Sequence, residues 1–116
     1  MAAGDGLAVI HIPWYATLFR GDKFEAALAE LAPIALRYGA LDYEVYRSRE
    51  DTYKFLQTAT WERKLDFTAY WEGPECIEFR TRYSSWFQVP ILYQWNVRVA
   101  RGALAREHPA PLAQGG

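Results

Sequence analysis

The sequence predicts one α+β domain in the ferredoxin-like order strand, helix, strand, strand, helix, strand. Three observations lead there. Apolar residues recur at spacings of three and four in two stretches, from Phe24 to Ala35 and from Phe67 to Tyr83. β-branched and aromatic residues concentrate in four other runs. The middle two of those runs are joined only by the charged link Arg49-Glu50-Asp51, which implies an antiparallel hairpin. This order folds as a split βαβ unit, a four-stranded antiparallel sheet with its helices on one face.

The elements follow in order. Residues 1–6 are expected to be a frayed N-terminus. Leu7 to Tyr15 reads as the first strand, apolar on both faces, and Pro13 places its end at an edge or a bulge. Arg20-Gly21-Asp22 is a turn with Asp22 as candidate N-cap. The helix after it presents Phe24, Ala27, Leu28, Leu31, Ile34 and Ala35 on one side. Pro33 removes a backbone donor inside it and predicts a kink or break. Gly39 closes it as a C′ glycine.

Leu41 to Ser48 alternates Leu41, Tyr43 and Val45 against Asp42, Glu44 and Tyr46, the pattern of a half-buried strand. Tyr53 to Glu62 is the third strand. Arg63 to Trp71 reads as a helix with Phe67, Tyr70 and Trp71 on one face. Pro74 then opens a second helical segment, to about Tyr83, carrying Cys76, Phe79 and Tyr83. Ile91 to Arg101 is the last strand, so the domain spans residues 7–101. Residues 102–116, rich in Ala, Pro and Gly, read as a flexible tail.

Composition narrows the function. With 13 basic and 14 acidic residues the net charge is −1, which is not the footprint of a nucleic-acid binder. The longest stretches without charge, residues 7–19 and 83–97, are shorter than a membrane span. No signal-peptide pattern opens the chain, and one cysteine makes no internal disulfide, so a cytoplasmic protein is expected. One cysteine and two histidines make no metal-ligand cluster. Aromatic residues reach 16%, with five Trp and eight Tyr, enough to line a pocket for a flat molecule or to form a subunit interface. Two helices cover only one side of such a sheet. The strands carry apolar or aromatic residues on both faces, so the second face needs a cover, and a second copy is the simplest one, which predicts a homodimer through sheet faces.

The segment FEAALAELAPIALRYGALDYEVYRSRED, Phe24 to Asp51, resembles the helix and second strand of the antibiotic biosynthesis monooxygenase family. The continuation FLQTATWERKLDFTAYWEGPE, Phe55 to Glu75, resembles that family's strand ending in Trp-Glu and the short helix after it. The resemblance covers roughly residues 8–100. It implies a dimeric α/β barrel with a cavity between the sheet and its helices. Relatives oxidise polycyclic aromatic or quinol-like substrates with O2 and neither metal nor flavin; others degrade heme, and some related barrels are isomerases or cyclases. Tyr70 stands where many relatives carry His. Arg80 falls where the heme-degrading branch has its ligating His, and a guanidinium does not ligate iron. The family's first-strand Asn is replaced by His11, Ile12 or Pro13. The resemblance therefore implies no cofactor and no heme degradation, although Arg80 could hold heme or another anionic ligand.

Cofactor-free oxygenation needs a substrate anion, stabilisation of its charge, and exclusion of water. His11 is the candidate general base. Tyr70 could hydrogen-bond a phenolate or carbonyl oxygen, and Arg80 could stabilise the anion. Trp14, Phe67, Trp71, Tyr83 and Trp95 are candidate pocket walls, and Asn96 could orient a carbonyl. Trp61 reads as a structural anchor and Cys76 as a buried small hydrophobe. The expected function is a cofactor-independent monooxygenase-like protein acting on an aromatic or polyketide-type small molecule. The alternatives are a non-catalytic small-molecule-binding or interaction protein, and an isomerase or cyclase using His11 for proton transfer.

Overall fold

A computed structural model of the chain describes residues 6–105. Its elements are β1 (Ala8–Tyr15), α1 (Gly21–Leu31), a 3-10 helix (Ala32–Tyr38), β2 (Asp42–Arg47), β3 (Lys54–Trp61), α2 (Lys64–Trp71), α3 (Pro74–Arg82) and β4 (Gln94–Val97). The sheet is antiparallel, in the order β2-β3-β1-β4. The ferredoxin-like arrangement read from the sequence is therefore present. Expectations for residues 1–5 and 106–116 fall outside the described residues.

Alternation along β1 decides which face the helices cover. Ala8, Ile10, Ile12 and Trp14 are buried, while Val9, His11, Pro13 and Tyr15 point the other way. Register carries the same choice across the sheet. Ile10 lies opposite Ala59 and Trp95, Ile12 opposite Gln57, and Trp14 opposite Phe55. Onto this face pack Phe24, Leu28, Leu31 and Ala35 from the first helical stretch, and Phe67, Trp71, Cys76 and Phe79 from α2 and α3. Trp14 is the hub, with Phe24, Phe79, Phe87 and Trp71 rings between 5.1 and 6.0 Å from its own.

Pro33 has its expected effect. The α-helix ends at Leu31 and continues as a 3-10 turn with the proline near its start, where no donor is missed. Gly39 then takes φ +109°, a conformation that side chains resist, and a Cβ there would stand 3.2 Å from the Asp66 carboxylate. Pro13 is placed as expected too. The Leu7 and Tyr15 carbonyls accept from the Arg98 and Gln88 amides at 3.0 and 2.8 Å, so odd residues of β1 turn their backbone groups toward the β4 side. Pairing with β4 stops at His11, and Pro13 faces the gap beyond it.

Four expectations are corrected. Asp22 does not cap α1. The helix begins at Gly21 with Arg20 as N-cap, and Asp22 lies in the first turn, ion-paired with Arg47 at 2.9 Å. β2 is an edge strand, mostly exposed, and Leu41 precedes it half in water. The last strand keeps only Gln94–Val97 of the expected Ile91–Arg101. Ile91 and Tyr93 instead lie against the aromatic core, the Tyr93 ring 4.8 Å from that of Phe67. Finally, the uncovered face of the sheet is not uniformly apolar. Glu44, Thr58, His11 and Gln94 form one row across its middle, with Asp42, Thr60, Val9 and Asn96 in the next. Only the row of Tyr46, Leu56 and Pro13 is apolar throughout. Strand alternation puts Thr and charged residues on the side the sequence reading took as greasy.

Candidate functional site

The predicted site residues divide between two sides of the sheet. Tyr70, Trp14, Phe67, Trp71 and Trp95 pack on the helix side, where Arg80 and Tyr83 of the α3 stretch also lie. His11 and Asn96 occupy the open face. Between them stands the full thickness of β1 and its neighbours. His11, Tyr70 and Arg80 therefore do not converge on one ligand within a single chain. Asn96 uses its amide locally, donating to the Val9 carbonyl at 3.2 Å.

Tyr70 belongs to a closed polar chain through the core. The Trp14 indole N–H donates to Gln57 Oε1 at 3.0 Å, and Gln57 Nε2 donates to the Tyr70 hydroxyl oxygen at 3.0 Å. The hydroxyl in turn donates to the Leu31 carbonyl at 2.9 Å. Leu31 stands where α1 passes into the 3-10 helix, so the hydroxyl pins that junction to α2. Gln57 is a residue the sequence reading missed. The signal was a lone amide in the set Phe55, Gln57, Ala59, Trp61, otherwise apolar and all facing the helices.

Burial drives Tyr70 well above the ordinary tyrosine range and pushes the neighbouring Cys76 thiol up to about 12 from 9.0. Neither is an anion near neutrality, so neither serves there as base or nucleophile. A stability consequence follows. Both groups have folded pKa values above their unfolded ones, so their contribution is complete below pH 9. It is lost as pH rises, first through the thiol from about pH 9 and then through the phenol from pH 10. Each group that ionises only on unfolding steepens the loss by about 1.4 kcal/mol per pH unit. Melting temperatures measured from pH 8 to 11 are expected to fall increasingly steeply, and Cys76→Ala is expected to remove the earlier part of the fall. A flat profile would contradict the assignment.

Arg80 brings a cation against the aromatic rings of the helix layer. Its guanidinium carbon sits 4.0 Å from the centre of the Trp71 ring. Its Nη1 is buried and has no hydrogen-bond partner among the described residues, so the indole face takes the place of an acceptor. The Trp61 indole N–H is likewise buried without a partner there, its ring 5.7 Å from Phe67. The space between sheet and helices, where the resemblance implied a cavity, is occupied by this aromatic packing. Surface clefts lie elsewhere. One of 160 Å³ runs between α1 and α3 and is bordered by Tyr83; another of 210 Å³ opens beside Trp14 and Pro13. Among the described residues no group of three His, Cys, Asp or Glu could hold a metal, and no helix is long and apolar enough to cross a membrane.

No family model matches the sequence, and no curated protein matches it. Solved structures do. A Pseudomonas aeruginosa protein superposes with a TM-score of 0.73 at 15% identity, over 83% of this chain and 97% of that one. A proposed antibiotic biosynthesis monooxygenase from Nitrosomonas europaea gives 0.72 at 16% identity, over 81% and 90%. One from Bordetella bronchiseptica gives 0.70 at 20% identity, over 82% and 99%. At these identities the likeness is one of fold, and it is the fold of structures that carry the family name the sequence motifs suggested.

Proposed function

We propose that this chain is an antibiotic-biosynthesis-monooxygenase-type protein that holds an aromatic small molecule through an anionic oxygen at Arg80, and that it holds the molecule without turning it over. The supporting observation is the guanidinium with a buried, unpaired N–H stacked on Trp71. A phenolate or carboxylate would give that N–H a charged acceptor, worth more than the ring face it now meets. The candidate base His11 lies on the other face, and the polar chain through Tyr70 is already complete, which favours binding over catalysis. Tyr93 and Ile91 lie against the core in a stretch outside any strand, the segment best placed to yield to a ligand.

Oxygenation is the second reading, favoured by the same Arg80, which could stabilise a substrate anion as it reacts with O2. As proposed, neither reading draws on a cofactor, and both suit a cytoplasmic protein. Titration with 1,8-dihydroxyanthrone by calorimetry, beside O2 uptake, separates them. Binding is expected, weakened about tenfold or more in Arg80→Gln, because a charge-assisted hydrogen bond contributes about 1.5–3 kcal/mol. O2 uptake above the spontaneous rate that Arg80→Gln abolishes would establish oxygenation instead. Absence of binding would remove both.

The same reading includes a homodimer through the open sheet face. Its support is a sheet covered on one side only, with Val9, Leu56, Pro13 and Tyr46 set among the polar rows. Sedimentation at increasing concentration is expected to show a dimer. A single monomeric species throughout would eliminate it.

A further inference from the structure

We propose that the groove between α1 and α3, on the helix side, is a second ligand site, separate from Arg80, and that it takes an organic ammonium with a flat apolar body. Two clefts meet there. One, of 160 Å³, has Leu31, Ile34, Phe79 and Tyr83 in its walls. The other, of 260 Å³, continues past Ala26 to Trp86. Ala27, Glu30 and Tyr83 border both, so the two form one groove. The dimer proposed above joins through the open sheet face, and this groove lies on the covered side, away from it.

The groove has a cause in the sequence of α1. Lys23, Ala26, Ala27 and Glu30 follow at spacings of three and four along one stripe of that helix. The two alanines in the middle of the stripe leave room where larger side chains would close on α3. Leu31 and Phe79 are buried beneath, while Ile34 and Tyr83 are half-buried, so the walls would take the apolar body of a ligand. The Tyr83 ring is backed by that of Trp86, centres 4.4 Å apart. Tyr83, expected as a pocket wall, thus walls this groove and not an interior cavity.

Charge selects the ligand. The first cleft sets three carboxylates, Glu30, Glu75 and Glu78, against one cation, Arg82, among its lining residues. Glu75 accepts from the Tyr38 hydroxyl at 2.6 Å, which holds its carboxyl below the usual range. Glu30 on α1 and Glu78 on α3 make no ion pair among the described residues. Arg82 lies instead over the Tyr83 ring, 5.6 Å from its centre. Lys23 borders only the second cleft, two helical turns before Glu30 and so about 10 Å from it along the axis. Two helices thus bring unpaired carboxylates to the rim of an apolar groove, which matches an amphiphile whose head is an ammonium. A neutral molecule would gain only the apolar part, and an organic acid would meet repulsion.

The test uses 2-phenylethylammonium, 2-phenylethanol and 3-phenylpropionate as probes, followed by amide chemical shifts of the full chain. The ammonium is expected to shift residues 27–31, 34, 75–79 and 83 and to bind most tightly of the three, the carboxylate most weakly. Glu30→Gln combined with Glu78→Gln, both surface changes, is expected to weaken the ammonium about tenfold and leave the alcohol unchanged. Arg82→Gln is expected to tighten the ammonium about twofold, since it removes the opposing cation. Arg80→Gln is expected to leave the shifts at these residues intact, which separates this site from the one proposed above. Equal affinity for the ammonium and the alcohol, no effect of the double variant, or weaker binding in Arg82→Gln would overturn the assignment. So would a fall in the sedimenting mass of an associated chain on adding the ammonium, since a second copy would then be what fills the groove.

Discussion

Trp14→Ala is expected to cost about 3–5 kcal/mol, the usual range for removing a large aromatic from a core. For a domain of this size each kcal/mol moves the melting temperature by roughly 4–8 °C, so a fall of about 12–40 °C is expected. The argument rests on position. Trp14 is the last helix-facing residue of β1, and its ring touches rings from α1, α2, α3 and the segment that follows α3. Removing it leaves a void that none of these can close without dragging an element along. It also strips Gln57 of the donor to its carbonyl. Trp14→Phe keeps most of the ring volume and loses only the N–H, so its cost is expected to be well under half as large. Thermal or urea unfolding of the two variants checks this. If both variants melt close to the parent, Trp14 is a wall with room to spare and the filled interior described above is misread.

The periodicity of the chain carried the order of elements because burial on one face writes itself as spacing. Phe24, Leu28, Leu31 and Ala35 on the helix, and Phe67, Tyr70 and Trp71 on α2, are buried together as their spacing implies. Pro33 and Gly39 were legible for the same reason, since each imposes a backbone condition whatever surrounds it. What periodicity does not carry is where a strand stops pairing. Ile91 to Tyr93 have the composition of a strand, but Tyr93 lies on Phe67 and Trp71 and Ile91 against the core, while Leu92 between them stands in water. Nor does spacing tell which side of the sheet a strand presents to the helices. His11 and Tyr70 look like partners in a list of titratable residues. One residue of phase in β1 puts them on opposite faces. Gln57 was passed over because an amide in a strand reads as a solvated position until its neighbours fix the face. Arg80, by contrast, lies on the helix side with Trp71, its guanidinium over that ring, a contact that spacing within α3 alone does not show.

Tyr70→Phe tests whether the core's polar chain is structure or chemistry. The substitution keeps the ring and removes one oxygen. That oxygen accepts from Gln57 and donates to Leu31, so a buried amide N–H is left without a partner and the Leu31 carbonyl loses one of its donors. The orphaned N–H costs about 1–3 kcal/mol and the lost bond to the carbonyl about 0.5–1.5 kcal/mol, so a total of about 1.5–4.5 kcal/mol is expected, roughly 6–36 °C in melting temperature. Gln57→Leu alone orphans the Trp14 N–H and is expected to cost somewhat less. The double variant is the informative one. Once Gln57 is leucine, the hydroxyl has no donor to receive, and its removal costs only the bond to the Leu31 carbonyl. The two costs should therefore fall short of their sum by about 1 kcal/mol or more, the signature of a shared network. Strict additivity would mean the three side chains do not act as one chain of hydrogen bonds. Tyr70→Phe should also lose the part of the alkaline destabilisation that sets in from pH 10, since no phenol remains to ionise. Binding of an aromatic anion at Arg80 should survive it, because the hydroxyl is already engaged by Gln57 and Leu31. A variant that folds as well as the parent yet fails to bind would reverse this picture, making the hydroxyl a ligand contact and the hydrogen bonds to Gln57 and Leu31 its resting state.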